Sequence, residues 1–222
     1  MKNNYFDEEV IKKPWGFEYV AFKKKNILCL TYLYINPKQK TSLHCHYKKK
    51  TGFIIINGKA SVQLGLYKST TKTYNAPNKL MIRPGLFHQI KNIGKKPLEI
   101  LELESPYDKF DLIRFEDYYG REKKRYETVS TKIKKKYNFN KKKKIKFILE
   151  KCIIEIKEHK NFNNLLKSKM SSIHALLDGN IINNNKNNVM PIGDIIRTGT
   201  LKKISKRFKI KNKIKFLTVH KI

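Results

Sequence analysis

"SLHCHYKKKTGF", residues 42–53, sets two histidines one residue apart, then three lysines, then a Thr-Gly pair that opens an apolar run. Successive side chains of a strand alternate between faces, so His44 and His46 project to one side and Cys45 to the other. Two imidazoles on one side of a strand can share a metal ion. Downstream, "RPGLFHQIKN" (83–92) adds His88 just behind a Pro-Gly turn of the kind that starts a strand. A lone strand histidine is usually a satisfied core or surface residue. Two at i, i+2 with a third behind a turn point to a site.

The surroundings read as β structure. From about residue 17 to 105, short runs such as "FEYVAF", "ILCLTYLYI", "GFIIINGKASVQLG", "KLMIRPG" and "LEILELE" are separated by Pro, Gly and Asn. This spacing suits an antiparallel sandwich or barrel and not a βαβ unit. "KPWG" (13–16) is expected in an N-terminal strand with Trp15 packed. Residues 108–127, charged and aromatic, are expected to wrap the barrel as an irregular tail, followed by a Lys/Asn-rich linker over 128–144.

The remainder, 145–222, echoes the first half in order. "IHALLDGNI" (173–181) parallels "GFIIINGKA" (52–60), "VMPIGDII" (189–196) parallels "LMIRPGLFH" (80–88), and "IKFLTVHK" (214–221) parallels "LEILELES" (98–105). An internal duplication follows, its second copy without histidines at the matching places. Within it, Leu201, Ile204 and Phe208 of "TLKKISKRF" have helical spacing. The predicted domains are 1–127 with the metal motifs, 128–144 as linker, and 145–222 as a metal-free copy.

Composition bounds the rest. The chain has 222 residues, 40% of them hydrophobic, which is enough to bury a core. Its 50 Lys+Arg against 18 Asp+Glu give a net charge of +32. The lysines are spread along the chain beside abundant Asn and Ile, so a compositional bias explains them without a specific nucleic-acid partner; only Lys141–Lys144 form a block. No apolar window approaches the ~18 residues of a membrane span and the first residues lack a signal-peptide core, so a cytoplasmic, membrane-free protein is expected. Cys29, Cys45 and Cys152 have no CxxC spacing and are expected as reduced, buried thiols.

At the histidines the sequence resembles the cupin superfamily, whose motifs are G(X)5HXH(X)3-4E(X)6G and G(X)5PXG(X)2H(X)3N. His44, His46 and Gly58 match the first; Gly85, His88 and Asn92 match the second, with Pro84 one residue nearer than the pattern. Thr51 occupies the glutamate position. A narrower resemblance over residues 11–127 is to small cupins related to the mannose-6-phosphate isomerase type II domain, carried by "KKPWGFEYV", "TSLHCHYKKKTGF", "MIRPGLFH" and "ESPYDKFDLIRFEDYYGRE". Thr in an HCH-x-x-K-K-T-G setting is usual for that subgroup. The resemblance implies an all-β double-stranded β-helix, here with a degenerate second cupin half, and one divalent transition metal (Zn, Mn, Fe or Ni) on His44, His46 and His88. It also implies a small sugar or sugar-phosphate ligand, and it allows a homodimer.

Three readings stay open: an isomerase-like or epimerase-like enzyme on a phosphorylated or nucleotide-activated sugar, a non-catalytic sugar-binding or regulatory bicupin, and a metal-dependent dioxygenase. Isomerisation needs an electrophile at the carbonyl and a proton carrier. No catalytic residue is placed by motif, although Glu102, Glu104 and Tyr74 are candidates. Arg83, Lys49 and Lys50, with Lys48 beside them, are the candidate anion-binding residues.

Overall fold

The computed structural model describes residues 9–121, 129–140 and 145–222. In the first part, the strands are β1 (Ile11–Lys13), β2 (Gly16–Lys24), β3 (Leu28–Ile35), β4 (Leu43–Cys45), β5 (Lys50–Asn57), β6 (Lys59–Leu64), β7 (Lys72–Asn75), β8 (Asn78–Ile82), β9 (His88–Asn92), β10 (Leu98–Ser105) and β11 (Ile113–Glu116). They form a six-stranded sheet in the order β1-β2-β3-β10-β5-β8 and a five-stranded sheet in the order β11-β4-β9-β6-β7. From β3 to β11 the chain passes back and forth between these sheets, with β6-β7 as the one hairpin kept within a sheet, which is the double-stranded β-helix of a cupin. Asn57-Gly58 is accordingly a corner and not a hairpin turn: Gly58 sits at φ 87° where the chain leaves one sheet for the other.

The second part contributes β12 (Ile145–Leu149), β13 (Cys152–His159), α1 (Asn163–Leu166), β14 (Ile173–Ile182), β15 (Ile195–Arg197), α2 (Thr198–Ile204) and β16 (Lys209–Lys221). Its sheet has the order β12-β13-β16-β14-β15. Strand for strand, this repeats β2-β3-β10-β5-β8. Register agrees as well, since Ile35 pairs with Leu98 as His159 pairs with Ile214, and Phe53 pairs with Glu102 as His174 pairs with Thr218. The fold is all-β, a cupin barrel with a second, degenerate cupin-like half.

Three apolar layers hold it together. Between the first two sheets lie Trp15, Leu33, Phe53, Ile55, Val62, Ile90 and Ile100. The opposite face of the first sheet, with Leu28, Leu30, Ile54, Ile56 and Leu103, packs on Ile154, Ile173, Leu177 and Val219 of the third. The far face of the third sheet lies under α1 and α2, with Phe162, Leu165, Leu176, Leu201 and Phe216. The central first-sheet strands are therefore apolar on both faces, which explains why "ILCLTYLYI" and "GFIIIN" lack the alternation of a half-exposed antiparallel strand.

Several local expectations change. The stretch expected as a linker is packed where it is described: Val129 and Thr131 bond the backbone of Lys12 and Val10, Phe139 N–H donates to the Ala21 carbonyl, and Phe139 is buried. Lys141–Lys144 fall outside the described residues. The irregular tail contains β11, paired to β4. The Pro-Gly echo is not an equivalence, because Pro84-Gly85 follows β8 whereas Pro191 and Gly193 precede β15, the strand that matches β8. The Gly58 and Gly179 match does hold, at φ 87° and 89° in corresponding corners. The helix expected over 200–208 forms as α2 over Thr198–Ile204, with Leu201 buried and Phe208 beyond its end. All three cysteines are buried and free. Among the described residues, no helix is long and apolar enough to cross a membrane.

Candidate metal centre

β4 and β9 are antiparallel neighbours with His44 directly opposite His88, and alternation brings His46 to the same side. Ring centroids are 4.4 Å apart for His44 and His88, 5.1 Å for His44 and His46, and 5.3 Å for His46 and His88. One potential ligand atom from each lies within 4.8 Å of the others. Backbone carbonyls fix the rings: Nδ1 of His44 donates to Ser42 O at 2.9 Å, Nδ1 of His46 to Asp111 O at 2.6 Å, and Nδ1 of His88 to Leu86 O at 3.0 Å. With the proton on Nδ1, each Nε2 carries a lone pair, the tautomer a metal needs. Nε2 of His46 and of His88 is buried with no hydrogen-bond partner among the described residues.

Charge state agrees with that donor set. Burial, followed by His88 and His46, holds the His44 imidazole well below its ordinary range; burial and Lys49 push His46 down to about 4; burial and His46 push His88 down to about 3. All three are neutral near pH 7, as ligands must be. The residues fit a divalent transition ion, for which imidazole is a suitable donor.

Around the triad lies a pocket of about 70 Å³ lined also by Trp15, Ser42, Phe53 and Glu102. Its charged lining is cation-rich: Lys13, Lys49, Lys109, Arg114 and Arg121 against Glu18, Glu102 and Glu104. Lys49 and Glu104 form a buried ion pair, and the Lys49 ammonium also donates to Asp108 O at 3.0 Å. Burial raises the Glu104 carboxyl, but Lys49 and Lys109 together outweigh it and hold it low. Glu102, two residues away on the same face of β10, is pushed up by burial, then by Glu104 and Glu18, which favours its protonated form.

Thr51 is buried at the motif's glutamate position with its hydroxyl unpartnered among the described residues. Directly across the ladder stands Glu104, whose Oε2 is likewise buried and unpartnered. Glu104 is engaged by Lys49 and stands outside the cluster of possible metal ligands, which is the three histidines.

Two expected site residues lie elsewhere. Lys50 pairs with Asp194 of the second part, and Arg83 is exposed beside β8; both line a separate groove. Strand alternation is the cause: Lys49 and Thr51 face inward, so Lys50 faces out, and Ile82 faces inward, so Arg83 faces out. Lys48 is exposed, and Tyr74 packs against the barrel core outside the pocket lining. Sequence reading missed Asp111, whose carboxylate accepts the backbone N–H of Tyr47, Lys48 and Lys49 at 2.7–2.9 Å and so shapes the turn after His46. It also missed Lys109, Arg114 and Arg121, which reach the pocket from the supposed irregular tail.

Fold and triad together define a cupin whose three clustered histidines could hold a metal ion. The model of the mannose-6-phosphate isomerase C-terminal family matches residues 2–117, and the chain belongs to that family. Similar curated proteins include the xanthan biosynthesis protein XanB of Xanthomonas campestris pv. campestris, 31% identical over 117 residues, covering 50% of this chain and 23% of the relative. A putative mannose-1-phosphate guanylyltransferase of Vibrio cholerae is 31% identical over 107 residues, covering 47% and 22%. The alginate biosynthesis protein AlgA of Pseudomonas putida is 29% identical over 117 residues, covering 50% and 22%. The chain thus spans under a quarter of the length of these relatives. Among solved structures, a double-stranded β-helix protein of Klebsiella pneumoniae is 19% identical at a TM-score of 0.41, covering 53% of this chain and 85% of that one. The capsular polysaccharide assembling protein CapF of Staphylococcus aureus is 16% identical at 0.42, covering 49% and 34%.

Proposed function

We propose that the chain is a metal-binding cupin whose pocket takes the reacting end of a sugar phosphate or nucleotide-activated sugar and moves a proton there, in an isomerase-like or epimerase-like reaction of surface-carbohydrate metabolism. The observation that carries this reading is the meeting of three imidazoles with Glu102, whose carboxyl burial and neighbouring carboxylates push towards its protonated form, in one cation-rich cavity. About 70 Å³ holds a handful of waters, so the end of a sugar enters and the remainder stays outside. A bound divalent metal would supply a Lewis acid for a carbonyl oxygen. Glu102 is the group that holds or hands over a proton, Lys49 keeps Glu104 ionised beside it, and the excess of cations favours an anionic substrate. The names of the relatives, from xanthan and alginate biosynthesis to mannose-1-phosphate guanylyltransfer, favour a sugar ligand.

A second reading is a non-catalytic sugar-binding or regulatory bicupin. It is favoured by the engagement of Glu104 with Lys49, which leaves Glu102 as the one proton carrier. A panel of sugar phosphates and nucleotide sugars, offered to protein loaded with Zn, Mn, Fe or Ni, separates the two. Turnover that falls roughly a hundredfold or more in Glu102→Gln, with thermal stabilisation by the ligand retained, is the expected result. Stabilisation without turnover assigns the second reading, and neither effect with any sugar removes both. We also propose the division into a metal-binding unit over 1–127, a connecting stretch over 128–144 and a metal-free unit over 145–222; the repeated strand order supports it.

A further inference from the structure

The groove that receives Lys50 and Arg83 lies between the two halves of the molecule. It is walled by β8 on one side and by β15 and α2 on the other, and it measures about 590 Å³. Ligand pockets typically span roughly 300–1,000 Å³, favour interfaces between structural units, and combine an apolar lining with a few polar groups. This groove has that make-up. Its floor is Met81, Met190, Ile195, Ile204 and Phe208, and the two methionines are flexible side chains suited to an adaptable apolar contact.

The charge is one-sided. Among the described residues Asp194 is the one carboxylate in the lining, and it is paired with Lys50. The Lys79 ammonium donates to the Ile195 carbonyl at 2.9 Å and helps tie the two halves together. Arg83 is exposed at the end of β8 and has no ion pair among the described residues. Lys79 and Met81 share one face of β8, and Arg83, one residue past its end, lines the same groove as Met81. A guanidinium next to a greasy trough matches a molecule with an anionic head and an apolar tail.

We infer that this groove is a second ligand site, separate from the histidine pocket, for a small amphipathic anion: a phosphate or carboxylate held by Arg83, with an alkyl or acyl chain laid over Met81, Ile195, Ile204 and Phe208. The head group forms a charge-assisted pair with the guanidinium, and the tail removes its apolar surface from water. Both halves supply the floor, so the site exists only where they meet.

Titration calorimetry on the full chain with dodecyl phosphate, kept below its micelle concentration, tests this. One molecule should bind per chain. Shortening the tail to octyl removes four methylenes and should weaken binding by roughly tenfold to a hundredfold, according to how fully they are buried. Arg83→Gln should weaken it about tenfold, the order expected of one charge-assisted contact. Lys202→Gln, the same charge change on an exposed residue of α2 outside the groove lining, should leave affinity unchanged. Ile204→Trp, which fills the trough, should abolish binding. Dodecanoate run in parallel tells a phosphate head from a carboxylate one. Equal weakening by Lys202→Gln and Arg83→Gln, equal binding of dodecyltrimethylammonium, or uptake of many molecules per chain would overturn the proposal. Inorganic phosphate binding as tightly as dodecyl phosphate would do the same.

Discussion

The first and third sheets use one strand order for different ends. In the first part, the chain leaves the sheet between β3 and β5 to make β4, and between β8 and β10 to make β9, the two strands that carry the triad. At the corresponding points of the second part, between β13 and β14 and between β15 and β16, it makes α1 and α2. The sheet scaffold is kept while the layer that faces it changes from strands to helices. Apolar side chains of α1 and α2 fill the space that the barrel keeps for a pocket. The histidine triad therefore belongs to the crossing layer, and the scaffold sheet is kept in the second half without it.

The largest expected difference between the halves is in metal content. His46→Ala should reduce the bound divalent ion from about one per chain to none, as for a single site with three protein ligands. His174→Ala, in the metal-free half, should leave metal content as it was. An unchanged ion content in His46→Ala, measured by elemental analysis, would separate the triad from metal binding.

The matched corner glycines sharpen the comparison. A Cβ on Gly179 would stand 2.3 Å from the Lys213 carbonyl oxygen, and one on Gly58 would stand 2.9 Å from the Pro97 carbonyl oxygen. Both lie at positive φ, where an added side chain is strained. Gly179→Ala should cost about 3 kcal/mol or more and Gly58→Ala about 1–2 kcal/mol, read from urea midpoints. The reverse order would mean that the second half yields at its corner more easily than the first.

A smaller effect tests the interior pair that differs, Phe53 and Glu102 in one half and His174 and Thr218 in the other. His174 is fully buried, with Nδ1 3.0 Å from Thr218 Oγ1 and Nε2 2.8 Å from Thr198 Oγ1. His174→Phe, which copies the first half, strands both hydroxyls and should cost about 1–3 kcal/mol at pH 7. Burial, then His220 and His159, pushes the imidazole down to about 3 from its ordinary 6.5. Between those values the unfolded chain binds the proton and the fold does not, so wild-type stability falls as pH drops, by up to ~1.4 kcal/mol per pH unit. The variant lacks that contribution, so its deficit should shrink as pH falls from 7 to 4. A deficit that stays constant across the range would show that His174 is not the titrating group.

Much of the architecture was legible in residues 11–105, because β-rich runs, turn residues and strand alternation are local signals. Alternation placed His44 and His46 together. Applied equally to Lys49 and Lys50, it would have sent one inward and the other out, as the structure does. The hold of Asp111 on the turn after His46 and the pocket contributions of Lys109 and Arg121 were not legible, since they come from loop segments whose position depends on long-range contacts with that turn and with Glu18. The false echo around Pro191 has a similar origin: a Pro and Gly turn marks a change of direction but not which side of a strand it occupies.

The burial of the first sheet on both faces bears on how the chain can be handled. A fragment ending near residue 121 would bare Leu28, Leu30, Ile54, Ile56, Leu101 and Leu103 as one continuous apolar wall, all of them at most 2% exposed in the intact fold. Such a wall is an aggregation surface. The second half thus covers that wall and shields from water the half that carries the histidine triad.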